Sequence, residues 1–361
     1  MTTPDRPAVT IRDIAKELGV GTGTVSRALN DAPGVSQTTR KRVLTLAEQM
    51  NYRPNPIAQN LRRVGSSTIA VLMKGPDNPF FLSIISALEA VIRAHGYSMT
   101  LVRVPHGVDE ITYSIRSSEL HKPAGIIFLG GKYDHDQKVM NQLSVPAVLC
   151  TFSASARSGG VQMPSVSIDE YAAMQVIADH LLERGHRTFA IVASDLSDDS
   201  VSAVRLKAVV EYLTRLGYEV PERNIAHGDS SLRPYTYHYG YEVTKGLVRS
   251  GVDFTALITF SDVLAIGAQR AIIDSGKHVP DDVAVTGFDG IELARYTSPS
   301  ITTIVQPVAQ IVDATCSVLF DMLDGKQVPR HINVEPQLRI GESTGGAIGI
   351  RACGSGYAGE R

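Results

Sequence analysis

Residues 20–30 read VGTGTVSRALN, and the role of Gly21 and Gly23 in that stretch decides how the rest of the chain is read. Two glycines so placed at the start of a helix suit either a phosphate cradle or a helix laid against DNA. A dinucleotide-binding loop needs a strand before it, a third glycine within it and an acidic residue later. The residues upstream carry a helical period instead, with Ile11, Ile14, Ala15 and Leu18 at i, i+3, i+4 and i+7. Position 26 is Ser rather than Gly. The cradle fails on both counts, which leaves two helices joined by a tight turn.

Upstream of the turn, Thr10 and Asp13 resemble a capping box with Asp in place of Glu, and Gly19 ends the first helix. The second helix runs from about Thr22 to Asn30 and buries Val25, Ala28 and Leu29, leaving Thr22, Gly23, Ser26 and Arg27 facing outward. Downstream, Ser36 caps a third helix whose stripe is Val43, Leu46, Ala47 and Met50, ending at Asn51. Three helices in this order form a helix-turn-helix, whose second helix enters the major groove. Arg27 there can make two parallel hydrogen bonds to guanine, while Thr22, Thr24 and Ser26 reach phosphates or a thymine methyl.

The charge distribution agrees. Residues 1–65 hold ten Lys/Arg against five Asp/Glu, +5 on a chain whose total is −2, so the remainder carries −7. A basic head on an acidic body suits a polyanion at one end. The next segment, YRPNPIAQNLRRVGSS, places Asn55 as a helix cap and Pro56 at the first helical position. A two-turn helix there is too short to stand alone in water, and GSS after it is a linker.

From Thr68 the pattern becomes a strand–helix alternation. Strands are expected at 68–73, 98–104, 125–130, 147–150, 189–193, 256–260 and 283–288, with helices such as 80–95, 171–184 and 262–275 between them. That rhythm implies parallel sheets covered by helices. Its length, within a chain of 361 residues, favours two lobes with a cleft over one sheet. Cys150, Cys316 and Cys353 are too scattered for a disulfide framework or a zinc site. The ten histidines show no ligand spacing, and His186 is expected to make structural hydrogen bonds. Neither a signal peptide nor an apolar run long enough for a membrane span is found, so a cytoplasmic protein without metal or cofactor is expected.

Taken together, TIRDIAKELGVGTGTVSRALNDAPGVSQTTRKRVLTLAEQMNYRPNPIAQNLR, STIAVLM…DNPFF, VSIDEYAAMQVIADHLLERGHRTFAIV, SDVLAIGAQRAIIDSG, VPDDVAVTGFDG and LRIGESTG resemble the lactose-repressor (LacI/GalR) family of bacterial transcription regulators. The resemblance runs in order from Val9 to Gly345. It implies an all-α helix-turn-helix head and an α/β periplasmic-binding-protein-like body of two Rossmann-like lobes. The head is expected over residues 1–53, a hinge helix and linker over 54–67, and the effector-binding and dimerisation body over 68–345. Lobe one is set at 68–169 with 301–327, lobe two at 170–300 with 328–345, and 346–361 is expected to be a disordered tail.

The resemblance extends the DNA-facing set to Thr10, Asn30, Tyr52, Asn55, Ile57, Ala58, Leu61 and Arg62. Leu61 matches the leucine that two subunits press into the central minor groove, where an apolar wedge unstacks a base step. Gly21 stands where the family usually has a Ser cap, and Gly23 where relatives display a base-reading side chain. In the cleft it points to Asn78, Phe80, Asp169, Arg205, Ser261 and Asp289. Arg205 falls in an Arg-x-x-Gly-Phe pattern that here carries Ala208 and Val209, and Ser261 replaces an Asn. Tyr239, in the tyrosine-rich run 235–241, is expected to line the cleft. For Asp169 and Asp289 the competing reading is capping and turn formation at strand ends.

The expected partners are a pseudo-palindromic double-stranded operator, a sugar-like small molecule and a second copy of the chain, with no membrane. An enzyme is disfavoured, since no G-x-S-x-G elbow or H-E-x-x-H is present. A transport receptor shares the body but has no use for the head. A regulator whose cleft no longer takes a small molecule is the other alternative.

Overall fold

The computed structural model describes residues 11–29, 34–50, 67–75, 78–105, 107–117, 120, 122–133, 135–153, 163–194, 196, 200–228 and 231–353. Thr10, Asn30, Tyr52, Asn55, Ile57, Ala58, Leu61, Arg62 and the segment 54–66 lie outside the described residues, as does the side chain of Ser26. The chain divides into two units, Met1–Ser66 and Ser67–Arg361, each taken by itself below.

In the first unit, α1 (Ile11–Leu18), α2 (Thr22–Leu29) and α3 (Gln37–Gln49) pack around Ile14, Ala15, Val25, Ala28, Val43 and Ala47. Gly19 takes φ +66°, the left-handed conformation that ends helices, and the Val20 N–H turns back to the Ala15 carbonyl at 3.1 Å. Ser36 caps α3 by accepting from Thr39 N at 3.2 Å. Six mostly small buried side chains make a modest core. Each fully buried Ile or Val contributes about 1.5–3 kcal/mol.

The second unit contains two sheets. The first comprises β1 (Thr68–Met73), β2 (Ser98–Arg103), β3 (Gly125–Leu129), β4 (Ala147–Cys150), β5 (Ser165–Ser167) and β11 (His331–Asn333), in the order β11-β5-β4-β3-β1-β2 with every pairing parallel. The second comprises β6 (Phe189–Val192), β7 (Ile225–Ala226), β8 (Ala256–Thr259), β9 (Ala284–Asp289), β10 (Thr302–Val305), β12 (Gln337–Ile340) and β13 (Gly349–Ala352), in the order β13-β12-β10-β9-β8-β6-β7. Only β12 runs antiparallel to its neighbours β10 and β13.

Helices α4 (Pro79–Ala94), α5 (Glu110–Arg116), α6 (Gln137–Met140) and α11 (Val308–Leu323) belong to the first lobe, and α7 (Glu170–Glu183), α8 (Val201–Arg215), α9 (Tyr237–Arg249) and α10 (Asp262–Asp274) to the second. The central strands are continuous buried runs, TIAVLM and GIIFL among them, as parallel strands covered on both faces must be.

Three expectations are corrected. Residues 301–327 were expected in lobe one, yet β10 pairs with β9 in the second sheet, Thr302 opposite Thr286. The stretch after 327 was expected in lobe two, yet β11 pairs with β5 in the first sheet, His331 opposite Ser165. The chain therefore crosses between lobes at 306–307 and returns only after β11, because β10 lies between β9 and β12 in the second sheet while β11 completes an edge of the first. The segment 346–361 also contains an ordered strand. β13 pairs with β12, Arg351 bonds Glu183 at 2.8 and 3.1 Å, and Cys353 is buried.

Candidate functional site

In the head, α2 presents a surface set by its cap and its core. Gly21 accepts at its carbonyl from Thr24 N (2.9 Å) and Val25 N (3.2 Å), which makes it the cap residue. With Val25 and Ala28 turned inward, Thr22, Gly23 and Arg27 are exposed and Thr24 is half-buried. The Arg27 Nε donates to the Gly23 carbonyl at 3.3 Å, folding the guanidinium back along the helix start. A Cβ placed on Gly23 would meet nothing within 4 Å, so the glycine leaves an open position rather than filling a tight one.

In the body, the candidate cleft residues sit where strands end and helices begin. Asn78 does two tasks. Its Oδ1 caps α4 by accepting from Phe80 N at 3.0 Å, and its Nδ2 donates to Asp289 Oδ2 at 2.6 Å. Because Asn78 follows β1 and Asp289 ends β9, that bond joins the two lobes. Asp289 takes φ +108°, a backbone conformation that side chains rarely adopt, and it also accepts from Gln306 Nε2 at 2.8 Å. Burial raises its pKa to about 6 against the lowering pull of Arg205, Asn78 and Gln306.

Asp262 lies nearby, wholly buried, with Oδ2 accepting from Ile291 N at 2.7 Å. Burial and the charge of Asp289 push it up to about 8. The site therefore holds a pair of acids that retain protons more readily than exposed carboxylates.

Arg205 is held on each of its three nitrogens. Its Nε and Nη2 bond both oxygens of Glu170 at 2.7 and 3.1 Å, Nη1 donates to the Phe260 carbonyl at 2.6 Å, and the guanidinium stacks 3.5 Å from the Phe288 ring centroid. The charge of Glu170 more than offsets burial, so the arginine stays firmly protonated. Tyr133, carried on the loop after β3 of the first lobe, is buried next to Glu170, and its hydroxyl is held neutral by burial and by that carboxylate. Tyr235, at φ +57°, adds to the field at Arg205 and Tyr133. Phe80 and Asp289 line an open pocket of about 570 Å³ between the α4 start and the crossing segment at Gln306 and Pro307.

Three sequence candidates do other work. Asp169 is exposed and caps α7 through Ala172 N at 3.0 Å. Ser261 is buried and caps α10 through Leu264 N at 3.4 Å. Tyr239, expected to line the cleft, is instead 1% exposed in the core. Its hydroxyl accepts from Gly228 N at 2.6 Å and faces the carbonyls of Ala193 (3.0 Å) and Ser194 (2.9 Å). The site residues that sequence reasoning missed are Glu170, Phe288, Asp262, Gln306 and Tyr133, whereas Tyr235 belongs to the tyrosine-rich run already expected at the cleft. The first three are immediate neighbours of residues that were singled out, so a shift of one position would have found them. His186 bonds the Thr255 hydroxyl at 3.1 Å.

Comparison with known proteins follows the same division. The sequence signature of bacterial regulatory proteins, lacI family, covers residues 10–55, and that of a periplasmic binding protein-like domain covers 178–344. The chain is 31% identical to the HTH-type transcriptional regulator MalR of Clostridium butyricum over 91% of this chain and 97% of that protein. It is likewise 31% identical to the HTH-type transcriptional repressor CytR of Escherichia coli K12, over 89% and 92%. Among solved structures, the lac repressor dimer bound to operator and the anti-inducer ONPF matches with a TM-score of 0.80 at 26% identity, over 94% of this chain and all of that one. Among the described residues, no helix is long and apolar enough to cross a membrane. The chain belongs to the lacI family of bacterial DNA-binding transcriptional regulators.

Proposed function

We propose that the protein is a cytoplasmic transcriptional repressor without enzymatic activity. It binds a pseudo-palindromic operator as a homodimer and is controlled by a sugar-like molecule held between its two lobes. The observation that carries the reading is the exposed face of α2, with Thr22, Gly23 and Arg27 turned away from the three-helix core. Two such faces in a dimer meet two half-sites.

For the effector, support comes from the bond between Asn78 and Asp289. It is a polar contact between lobes that a ligand with hydroxyl groups competes with directly. Glu170 already neutralises Arg205, so the cleft offers acceptors rather than a free cation, which favours an uncharged polyhydroxyl ligand over an anion. A ligand must bind one arrangement of the lobes better than the other to shift operator affinity. The test is a thermal-shift screen of neutral sugars, sugar phosphates and nucleosides against wild type and Asp289→Ala. A neutral compound that raises the wild-type melting temperature and leaves the variant unmoved supports the site. Stabilisation only by anions, or equally in both proteins, contradicts it.

A further inference from the structure

Away from the site just described, the loops after β2 and β3 bring Asp109, Glu110 and His135 together, with one ligand-type atom of each lying within 4.8 Å of the others. His135 is 8% exposed as a residue and 1% in its side chain. Its Nδ1 bonds Asp109 Oδ2 at 2.8 Å. Its Nε2 is buried 3.2 Å from Glu110 Oε1, yet the two are not aligned as a hydrogen bond and Nε2 has no other partner.

The rest of the cluster is spoken for. Glu110 Oε2 takes the Lys74 ammonium at 2.9 Å, Oε1 accepts from Lys132 N at 2.8 Å, and Asp109 Oδ1 caps α5 through Thr112 N at 2.7 Å.

We propose that His135 Nε2 and Glu110 Oε1 are the protein ligands of a divalent transition-metal site, of the kind that takes Zn²⁺, with Asp109 orienting the imidazole. Two features support this. Two ligands on a tetrahedral Zn²⁺, each about 2.0 Å from the metal, stand about 3.3 Å apart, close to the separation found here. A ligating histidine donates its second ring N–H to a carboxylate, which is the Nδ1–Asp109 arrangement. Where the ring is protonated, metal binding releases the Nε2 proton to solvent, and water completes the coordination shell.

A Cβ on Gly131 would lie 2.1 Å from Glu110 Oε1, so that glycine is what lets the loop wrap the carboxylate. The same loop carries Tyr133 toward Glu170, so a bound metal stiffens one rim of the cleft.

The test is calorimetric titration of chelator-treated, full-length protein with Zn²⁺, followed by Co²⁺ absorption spectroscopy. The expected result is one site per chain and tetrahedral-type cobalt bands, with affinity at least tenfold weaker in His135→Gln. Asp109→Asn, at a less buried position, is expected to bind about 10–100-fold more weakly and serves if the first variant does not fold. An isotherm unchanged in both folded variants, or no saturable binding to wild type at millimolar Zn²⁺, overturns the proposal and leaves an imidazolium bridging two carboxylates.

Discussion

At the scale of single residues, neighbouring side chains divide labour in a way that composition alone does not reveal. Arg27 was legible because its position on an amphipathic helix follows from Val25, Ala28 and Leu29 being buried. Replacing it with Ala is expected to cost about 1–3 kcal/mol in operator binding and to relax preference at one base pair per half-site. Uniform weakening across all sequences would instead make Arg27 a phosphate contact. Gly23 has open space around it, so Gly23→Ala should stabilise the head by up to about 1 kcal/mol in thermal unfolding without changing which half-site is chosen. Tyr239 shows where sequence reading stopped. A tyrosine on a helix start looks the same whether it faces ligand or core, and only the fold brings Gly228 N and the Ala193 carbonyl to its hydroxyl. Tyr239→Phe should cost about 1–3 kcal/mol in urea unfolding by leaving buried backbone groups unpaired, while effector affinity stays unchanged. A change in ligand affinity without a loss of stability would return Tyr239 to the cleft.

At the scale of elements, the long apolar strands and amphipathic helices were readable because burial on two faces forces uninterrupted hydrophobic runs. The short strands Ser165–Ser167, His331–Asn333 and Gly349–Ala352 were not, because three or four residues with polar members carry no period. The tyrosine-rich run resolves into the start of α9, which Thr236 caps by accepting from Tyr239 N at 3.1 Å. α9 and α10 touch backbone to backbone: a Cβ on Gly240 would lie 2.4 Å from the Leu264 carbonyl oxygen, and one on Gly267 2.1 Å from that of Tyr237. Helix interiors usually disfavour glycine, and here close approach is the reason for it. Gly267→Ala must push the helices apart and is expected to destabilise the body by about 1–3 kcal/mol, read as a lower urea midpoint. A neutral outcome would mean the helices are free to separate.

At the scale of the whole molecule, the two-lobed body was legible from its alternation of elements, but the crossing points were not, since they depend on which sheet accepts a short strand. The acid pair gives the body a pH signature. Asp289 near 6 and Asp262 near 8 both keep protons in the fold that the unfolded chain releases near 4. The folded state then binds more protons, so their contribution falls as pH rises from about 4 through 8. Loss of charge on His135, whose pKa stands at about 9 because Asp109 and Glu110 outweigh the burial that opposes it, adds to the decline at the upper end. Asp262→Asn should therefore flatten the dependence of melting temperature on pH between about 6 and 8, and an unchanged slope would assign the effect elsewhere.

The central claim is that α2 of each subunit reads one half of a symmetric operator. The most direct measurement is selection of binding sites by the purified full-length protein from a random-sequence DNA pool, with Arg27→Ala alongside. An enriched pseudo-palindrome is expected, with the variant losing preference at the same base pair in both half-sites. Enrichment of a site without two-fold symmetry, or an identical motif from both proteins, would contradict it.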